Sequence, residues 1–257
     1  MSEDEERVYR KLKIFNLSMG FLHLVQGILM VVLSNDLTIT LTRGFLDLNT
    51  VTRTLESETA EVFGIRLGLL VASFLFMSAA AHLLIGTVLF QRYREDLKKG
   101  MNRYRWYEYS FSSSVMIVAI AMLTGIYDIG TLVLIFFLNM MMIFFGLMME
   151  KYNQLTKRTE WTPFIMGCIA GLVPWVAIAI SLLGAGGGDG GPPDFVYGIY
   201  VSIAIFFNCF AINMILQYKK VWKWRNYLFG EWMYVVLSLV AKSLLAWQVF
   251  AGTLRPG

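Results

Sequence analysis

This chain of 257 residues has little of what chemistry in water usually relies on. Its two cysteines, Cys168 and Cys209, both fall within apolar segments, so they read as buried packing residues and not as a disulfide. Its only histidines are His23 and His82, and Glu108 is its only carboxylate at mid-bundle depth. A hydrolytic metal centre needs a fuller His/Asp/Glu ligand set, which speaks against a membrane metallohydrolase and for no enzyme at all. The leading stretch MSEDEERVYRKLK lacks the apolar core and small-residue cleavage site of a signal peptide, so no cleaved N-terminus is expected. Charged residues are 16% of the chain.

Apolar side chains fill the remainder. The sequence is 57% hydrophobic and 15% aromatic, above the usual share of a soluble domain. A bilayer core needs about 20 apolar residues per helix. Segments Ile14–Ser34, Val62–Phe90, Tyr104–Ile126, Ile129–Glu150, Pro163–Leu183, Phe195–Tyr218 and Tyr227–Thr253 satisfy this. The expected fold is an all-α membrane protein, a rhodopsin-like bundle of seven transmembrane helices in one domain over 1–257. Residues 184–194 (GAGGGDGGPPD) form a loop that cannot propagate a helix.

Most of the 22 basic residues lie in segments that an odd number of spans puts on one side. They run from Arg7, Arg10, Lys11 and Lys13 through Arg92–Arg105 and Lys151–Arg158 to Lys219–Arg225. Because cytoplasmic loops carry the Lys and Arg excess, the N-terminal segment 1–13 is expected in the cytoplasm and the C-terminus outside. This topology, in a cell membrane, explains the net charge of +4 better than nucleic acid does. The outer loop 35–61 is long. Its Thr-rich Asp36–Asp47 predicts a short β-hairpin turning at Arg43-Gly44, with an unstructured loop as the other reading.

Lys242 breaks the last span, MYVVLSLVAKSLLAWQVF. An intramembrane charge costs about 3 kcal/mol on insertion scales, so such a residue marks a functional site by default. A lysine in an apolar cavity can form a Schiff base with an aldehyde, and a lone lysine in a seventh helix points to retinal. The buried cation needs an anion, and Glu108 is the candidate. Lys242 lies about 22 Å along its helix from Tyr227, whereas Glu108 is shallower, so a headgroup-level glutamate paired with Arg105 is the competing reading. Ser112, Ser113 and Met116 continue the broad face of Glu108, and Ser238 sits one turn before Lys242. His23 and His82, with Gln26 and Ser78 at helical spacing, suggest a polar cavity that exchanges protons; interhelical hydrogen bonding is the plainer role. Met140, Met141, Met142, Phe144 and Phe145 on the fourth span and Phe206, Phe207 and Phe210 on the sixth are candidate lining for a polyene, and Asn139 is an amide that seeks a partner. Arg105, Glu150, Tyr227 and Glu231 are expected to be surface pairs worth little each, with a network closing the bundle as the alternative.

At these residues the chain resembles the heliorhodopsins, microbial retinal proteins of inverted topology. The resemblance is carried by Arg105–Val118, Glu150-Lys151-Tyr152, Gly167–Trp175 (GCIAGLVPW), Phe195–Ile199 (FVYGI), Phe206–Asn208 and Val236–Thr253 (VLSLVAKSLLAWQVFAGT). It implies all-trans retinal on Lys242, Glu108 as sole carboxylate counterion and Ser238 as the hydroxyl partner. It also implies His23 and His82 in a polar cavity, a homodimer in lipid and a slow photocycle suited to sensing. Outward proton pumps carry an aspartate four residues before the lysine and a carboxylate eleven after the counterion. Here those positions are Ser238 and Ala119. A light sensor with an unnamed cytoplasmic partner is therefore the expectation, and a light-gated proton or ion channel or transporter the alternative. A chemical receptor, or a retinal-binding scaffold regulating an enzyme, is a further class.

Overall fold

A computed structural model describes residues 3–184 and 191–255. Among these residues the chain forms eight α-helices and one two-stranded sheet. Helix α1 is Glu3–Leu33, the strands β1 and β2 are Thr38–Asn49 and Thr54–Arg66, and α2 is Leu67–Gly86. Then come the short α3, Phe90–Lys98, and the long α4, Arg103–Leu123, α5, Ile129–Tyr152, α6, Thr162–Gly184, α7, Asp194–Tyr218, and α8, Tyr227–Val249. Six of the long helices are apolar enough to cross a membrane by composition alone, and α4 is the exception. Its first turns carry Arg103, Arg105 and Glu108, and tertiary contacts bury what propensity would leave exposed.

The bundle is inverted in polarity relative to a soluble protein. Val32, Leu134, Leu172 and Ile180 project outward, each more than half exposed. Lipid solvates such side chains, whereas in water they would form an aggregating belt. Polar residues face inward. Leu67, Val71, Phe74, Ile117, Ile120, Leu245 and Val249 form the central core where α2, α4 and α8 meet.

Short connections end each helix with local chemistry. Gly100 (φ 72°) and Gly125 (φ 91°) take left-handed conformations that a side chain would strain, ending α3 and α4. Asn102, Asp128 and Asn226 cap the N-termini of α4, α5 and α8 by accepting backbone N–H bonds from Arg105, Thr131 and Leu228. The cap of α4 is itself buried, so this helix starts inside the protein, beneath α3, and not at its surface.

Three sequence expectations change here. The hairpin is longer than anticipated: Asp36–Asp47 is not a hairpin with a turn at Arg43-Gly44. Gly44 pairs with Thr59 in mid-strand, and the chain turns at residues 50–53, where Arg53 has φ 57°. The second span is correspondingly shorter than Val62–Phe90, because 62–66 belong to β2 and Phe90 opens α3. The cysteines are unpaired but not buried: Cys168 is exposed on the outer surface of α6 and Cys209 is half-buried on α7. A thiol is apolar enough to face lipid, so burial in protein is not required. The glycine-rich stretch anticipated over 184–194 falls mostly outside the described residues.

The hairpin is rooted, not free. Thr42 N donates to Tyr127 O (2.9 Å), and Asn35 Nδ2 donates to Thr253 O (2.9 Å), tying the loop to the ends of α4 and α8. Asp36 and Arg66 close its base with an ion pair. Asp128 caps α5 beside this root, accepting from both Thr131 N and Thr131 Oγ1 at 2.7 Å. Asp128→Ala is expected to cost about 1 kcal/mol and lower the melting temperature by a few degrees, read by circular dichroism in detergent.

Candidate functional site

Side chains lean toward the N-terminus of their own helix, and Lys242 does so along α8. Its Nζ donates to Ser238 Oγ (2.9 Å), one turn back, and to Glu108 Oε1 (2.9 Å) on α4. This backward reach, with the buried start of α4, removes the depth mismatch calculated from the sequence. Glu108 is not paired with Arg105 at headgroup level. Its side chain is 7% exposed and that of Lys242 3%, so both charges have left solvent together.

Each member of the pair has further partners. Ser78 on α2 donates to Glu108 Oε1 at 2.6 Å, and the fully buried Ser112 faces the same carboxylate. The ring of Tyr109 lies under Lys242, 4.9 Å from Nζ to centroid, and its hydroxyl donates to Tyr234 O (2.9 Å). The amine thus meets one carboxylate, one hydroxyl and one aromatic face.

Beyond the amine runs an apolar cavity between α4, α5, α7 and α8. Trp106, Tyr109, Met116, Met142, Ile143, Phe207 and Phe210 form its wall, with Ser113, Ser238, Ala241 and Lys242. Phe206 does not line it; one residue along a helix turns the side chain by about 100°, and Phe210, one turn after Phe206, takes the place. Asn139 finds its partners in Ser113 and Ser114, donating at 2.8 and 3.1 Å, and so joins α5 to α4 behind the cavity. A long conjugated aldehyde fits these residues chemically. The wall is almost wholly apolar or aromatic, and the single amine stands at one end.

The two histidines lie on the other side of Glu108. Their rings are parallel, with centroids 5.7 Å apart. His82 Nδ1 bonds Asn16 Oδ1 (2.8 Å), whereas both ring nitrogens of His23 are buried without a hydrogen-bond partner among the described residues. Gln26, one turn after His23 on α1, accepts from Trp247 Nε1 through its Oε1 at 3.0 Å. A small polar cavity touches Asn16, His82, Asn102, Arg105, Glu108 and Glu231, linking Glu108 to His82 and to a second charged centre.

That second centre corrects the expectation of weak surface pairs. Arg105 bridges Glu150 and Glu231, and all three side chains are at most 3% exposed. Glu150 also accepts from Asn102 N (2.8 Å), Trp106 Nε1 (2.7 Å) and Tyr227 Oη (3.1 Å). Glu231 accepts from Asn102 Nδ2 (2.7 Å) and Tyr93 Oη (3.1 Å). Two carboxylates around one guanidinium are tolerated because five further donors complete their coordination.

The family model for heliorhodopsin matches residues 12–254, nearly the whole chain. The chain belongs to the heliorhodopsin family. Heliorhodopsins are retinal-binding microbial rhodopsins, photoreceptors embedded as multi-pass proteins in lipid, and the apolar cavity ending at an amine agrees with a retinal chromophore. No curated protein matches this heliorhodopsin.

Sequence reasoning overlooked Asn16, Tyr109 and Trp106, whereas Phe210 was among the expected lining residues. Asn16 carried a usable signal, an amide within an apolar span. Tyr109 and Trp106 did not, since aromatic residues recur throughout such helices. Ser78 was placed with the histidines by spacing, but its hydroxyl serves Glu108.

The Arg105 centre predicts an asymmetric outcome. Arg105→Gln leaves two buried carboxylates sharing no cation and is expected to destabilise the protein by about 3–5 kcal/mol, read as a large fall in melting temperature. Tyr227→Phe removes only one of several donors to Glu150 and is expected to cost about 1 kcal/mol.

Proposed function

We propose that this heliorhodopsin is a light sensor with retinal, in its all-trans form in the dark, linked to Lys242 as a Schiff base and Glu108 as its counterion. The observation that carries this reading is the buried Lys242–Glu108 contact of 2.9 Å at the end of an apolar cavity. Bound there, retinal supplies light absorption and a change of shape. Every other task falls to the chain. Glu108 neutralises the positive nitrogen on Lys242. Ser78 and Ser238 hold the two partners in register. Ser112, Ser113, Met116, Asn139, Met142 and Phe207, with Phe210 in place of Phe206, shape and support the cavity.

His23 and His82 act as the proton-accepting region, with Asn16 holding His82 by one nitrogen. The unpartnered nitrogens of His23 support this, because a neutral imidazole accepts a proton without losing a bond. A sensor is favoured over a pump by the placement of acids. Among the described residues the buried or part-buried carboxylates near the site, Glu108, Glu150 and Glu231, all lie toward one end of the bundle, and two are held by Arg105. Ser238 and Ala119 stand where a pump carries further carboxylates. Vectorial transfer across the membrane lacks an acid on the far side of Lys242.

The whole chain, 1–257, works as one membrane domain with its N-terminus in the cytoplasm and its C-terminus outside. The basic connections at one end and the Asp-rich and Glu-rich hairpin at the other support this orientation. A homodimer is supported by the hairpin, where Leu46, Leu48 and Leu55 are 67%, 55% and 65% exposed. The signal leaves at the cytoplasmic face, where a partner reads the shift in helix packing that follows when the charge at Lys242 moves.

Reconstitution with all-trans retinal tests the attachment. A visible band is expected in the wild type and none in Lys242→Ala; equal bands would remove Lys242 as the site. Glu108→Gln takes away the anion that stabilises the protonated nitrogen, so its visible band is expected to give way to a near-ultraviolet one at a lower pH than in wild type. An unchanged pH titration would refute the counterion role. In flash photolysis, His23→Phe with His82→Phe is expected to slow the proton-transfer phase about tenfold or more, and unaltered kinetics would exclude the relay. Sustained photocurrents across a planar bilayer would favour the transporter reading instead.

A further inference from the structure

The connections α3–α4, α5–α6 and α7–α8 converge on a polar cavity beneath the Arg105 centre. Its wall holds Lys99, Lys157, Arg158, Lys220 and Arg225, and no aspartate or glutamate. None of these five cations has a carboxylate within salt-bridge distance among the described residues. Elsewhere on the same end Arg103 pairs with Asp96, Lys13 lies over Phe90 and Lys223 over Trp222, whereas here five cations from three connections face one cavity.

The wall is also built to keep its shape. Asn153 donates to Met149 O and Glu160 O and accepts from Glu160 N, closing the α5–α6 loop on itself. Trp224 Nε1 donates to Asn213 Oδ1 (2.6 Å), and the buried Asn213 donates to Gly230 O, fixing the α7–α8 loop. Lys220 and Trp222, with φ of 51° and 46°, hold left-handed conformations that cost energy for any residue with a side chain. A strained loop that presents an unpaired cation to a cavity is a feature of binding sites more than of simple connections.

We propose that this cavity binds a phosphate-bearing anion with at least two negative charges. Five converging cations suit a multiply charged oxyanion, and Thr159 and Gln154 add neutral donors of the kind that phosphate oxygens accept. Either a soluble phosphate ester or an anionic lipid headgroup supplies this chemistry. The floor of the cavity includes Tyr227, whose hydroxyl donates to Glu150. An occupant therefore sits one residue away from the buried Arg105 centre, and by linkage any shift in that centre changes its affinity. The binding site itself does not depend on the retinal reading.

The test uses the full chain in the dark. In phosphatidylcholine nanodiscs, pyrophosphate is titrated calorimetrically; in nanodiscs containing phosphatidic acid, retained lipid is counted by native mass spectrometry. Lys157→Ala with Arg158→Ala removes two cations from the cavity, and Arg7→Ala with Arg10→Ala removes two from the same end outside it. Saturable pyrophosphate binding, weakened about tenfold or more in the cavity variant and unchanged in the control, is the result expected for a soluble ligand. Absent pyrophosphate binding, with phosphatidic acid retained in wild type and control but lost in the cavity variant, assigns the site to a headgroup. No binding in either arm, or equal weakening in both variants, overturns the proposal. Lys99→Glu, on a different connection, repeats the comparison independently of the α5–α6 loop.

Discussion

The polar contacts of Lys242 and Glu108 are arranged around the cost of burying two charges together. Neither charge is tolerable alone at that depth, and together they still need hydrogen bonds to repay lost hydration. Ser78 and Ser238 supply two of them from α2 and α8. The pair therefore fixes the relative placement of α2, α4 and α8, the same helices whose apolar residues form the central core. One electrostatic requirement sets both the packing and the location of the site.

A second charged centre stands a turn away along α4, and the two differ in kind. Arg105 is clamped by two carboxylates that are themselves saturated with donors from Asn102, Trp106, Tyr93 and Tyr227. Both carboxylates are satisfied there, although Arg105 Nε is buried without a hydrogen-bond partner among the described residues. The Lys242 side is sparer, with one carboxylate, a few hydroxyls and an imidazole whose nitrogens have no hydrogen-bond partner among the described residues. A saturated centre resists change and a sparse one accommodates it. The contrast gives the bundle a stiff end beside a responsive middle, joined by the polar cavity that touches both.

The long apolar helices and the singular position of Lys242 were legible because each rests on a pattern along the chain: length of apolar runs, and one charge where none is affordable. The hairpin was legible as β structure from its alternation of Thr with apolar residues. Its turn was not, because Gly44 is compatible with a strand interior and Arg53 with φ 57° carries no sequence mark. Likewise Phe206 and Phe207 read alike, and only the rotation of α7 against α8 separates the one that lines the cavity from the one that does not.

What the sequence determined by itself was therefore the class of molecule and the presence of one lysine within an apolar helix, since both follow from transfer free energies that act on a chain before it folds. Tertiary structure decided the partners. That Arg105 turns to Glu150 and Glu231, leaving Glu108 to Lys242, depends on α4 starting inside the protein beneath α3. That burial is a consequence of helix packing and not of spacing. The convergence of five unpaired cations on one cavity was invisible for the same reason. Their sequence positions span three connections, and only the folded chain brings those connections to a single wall.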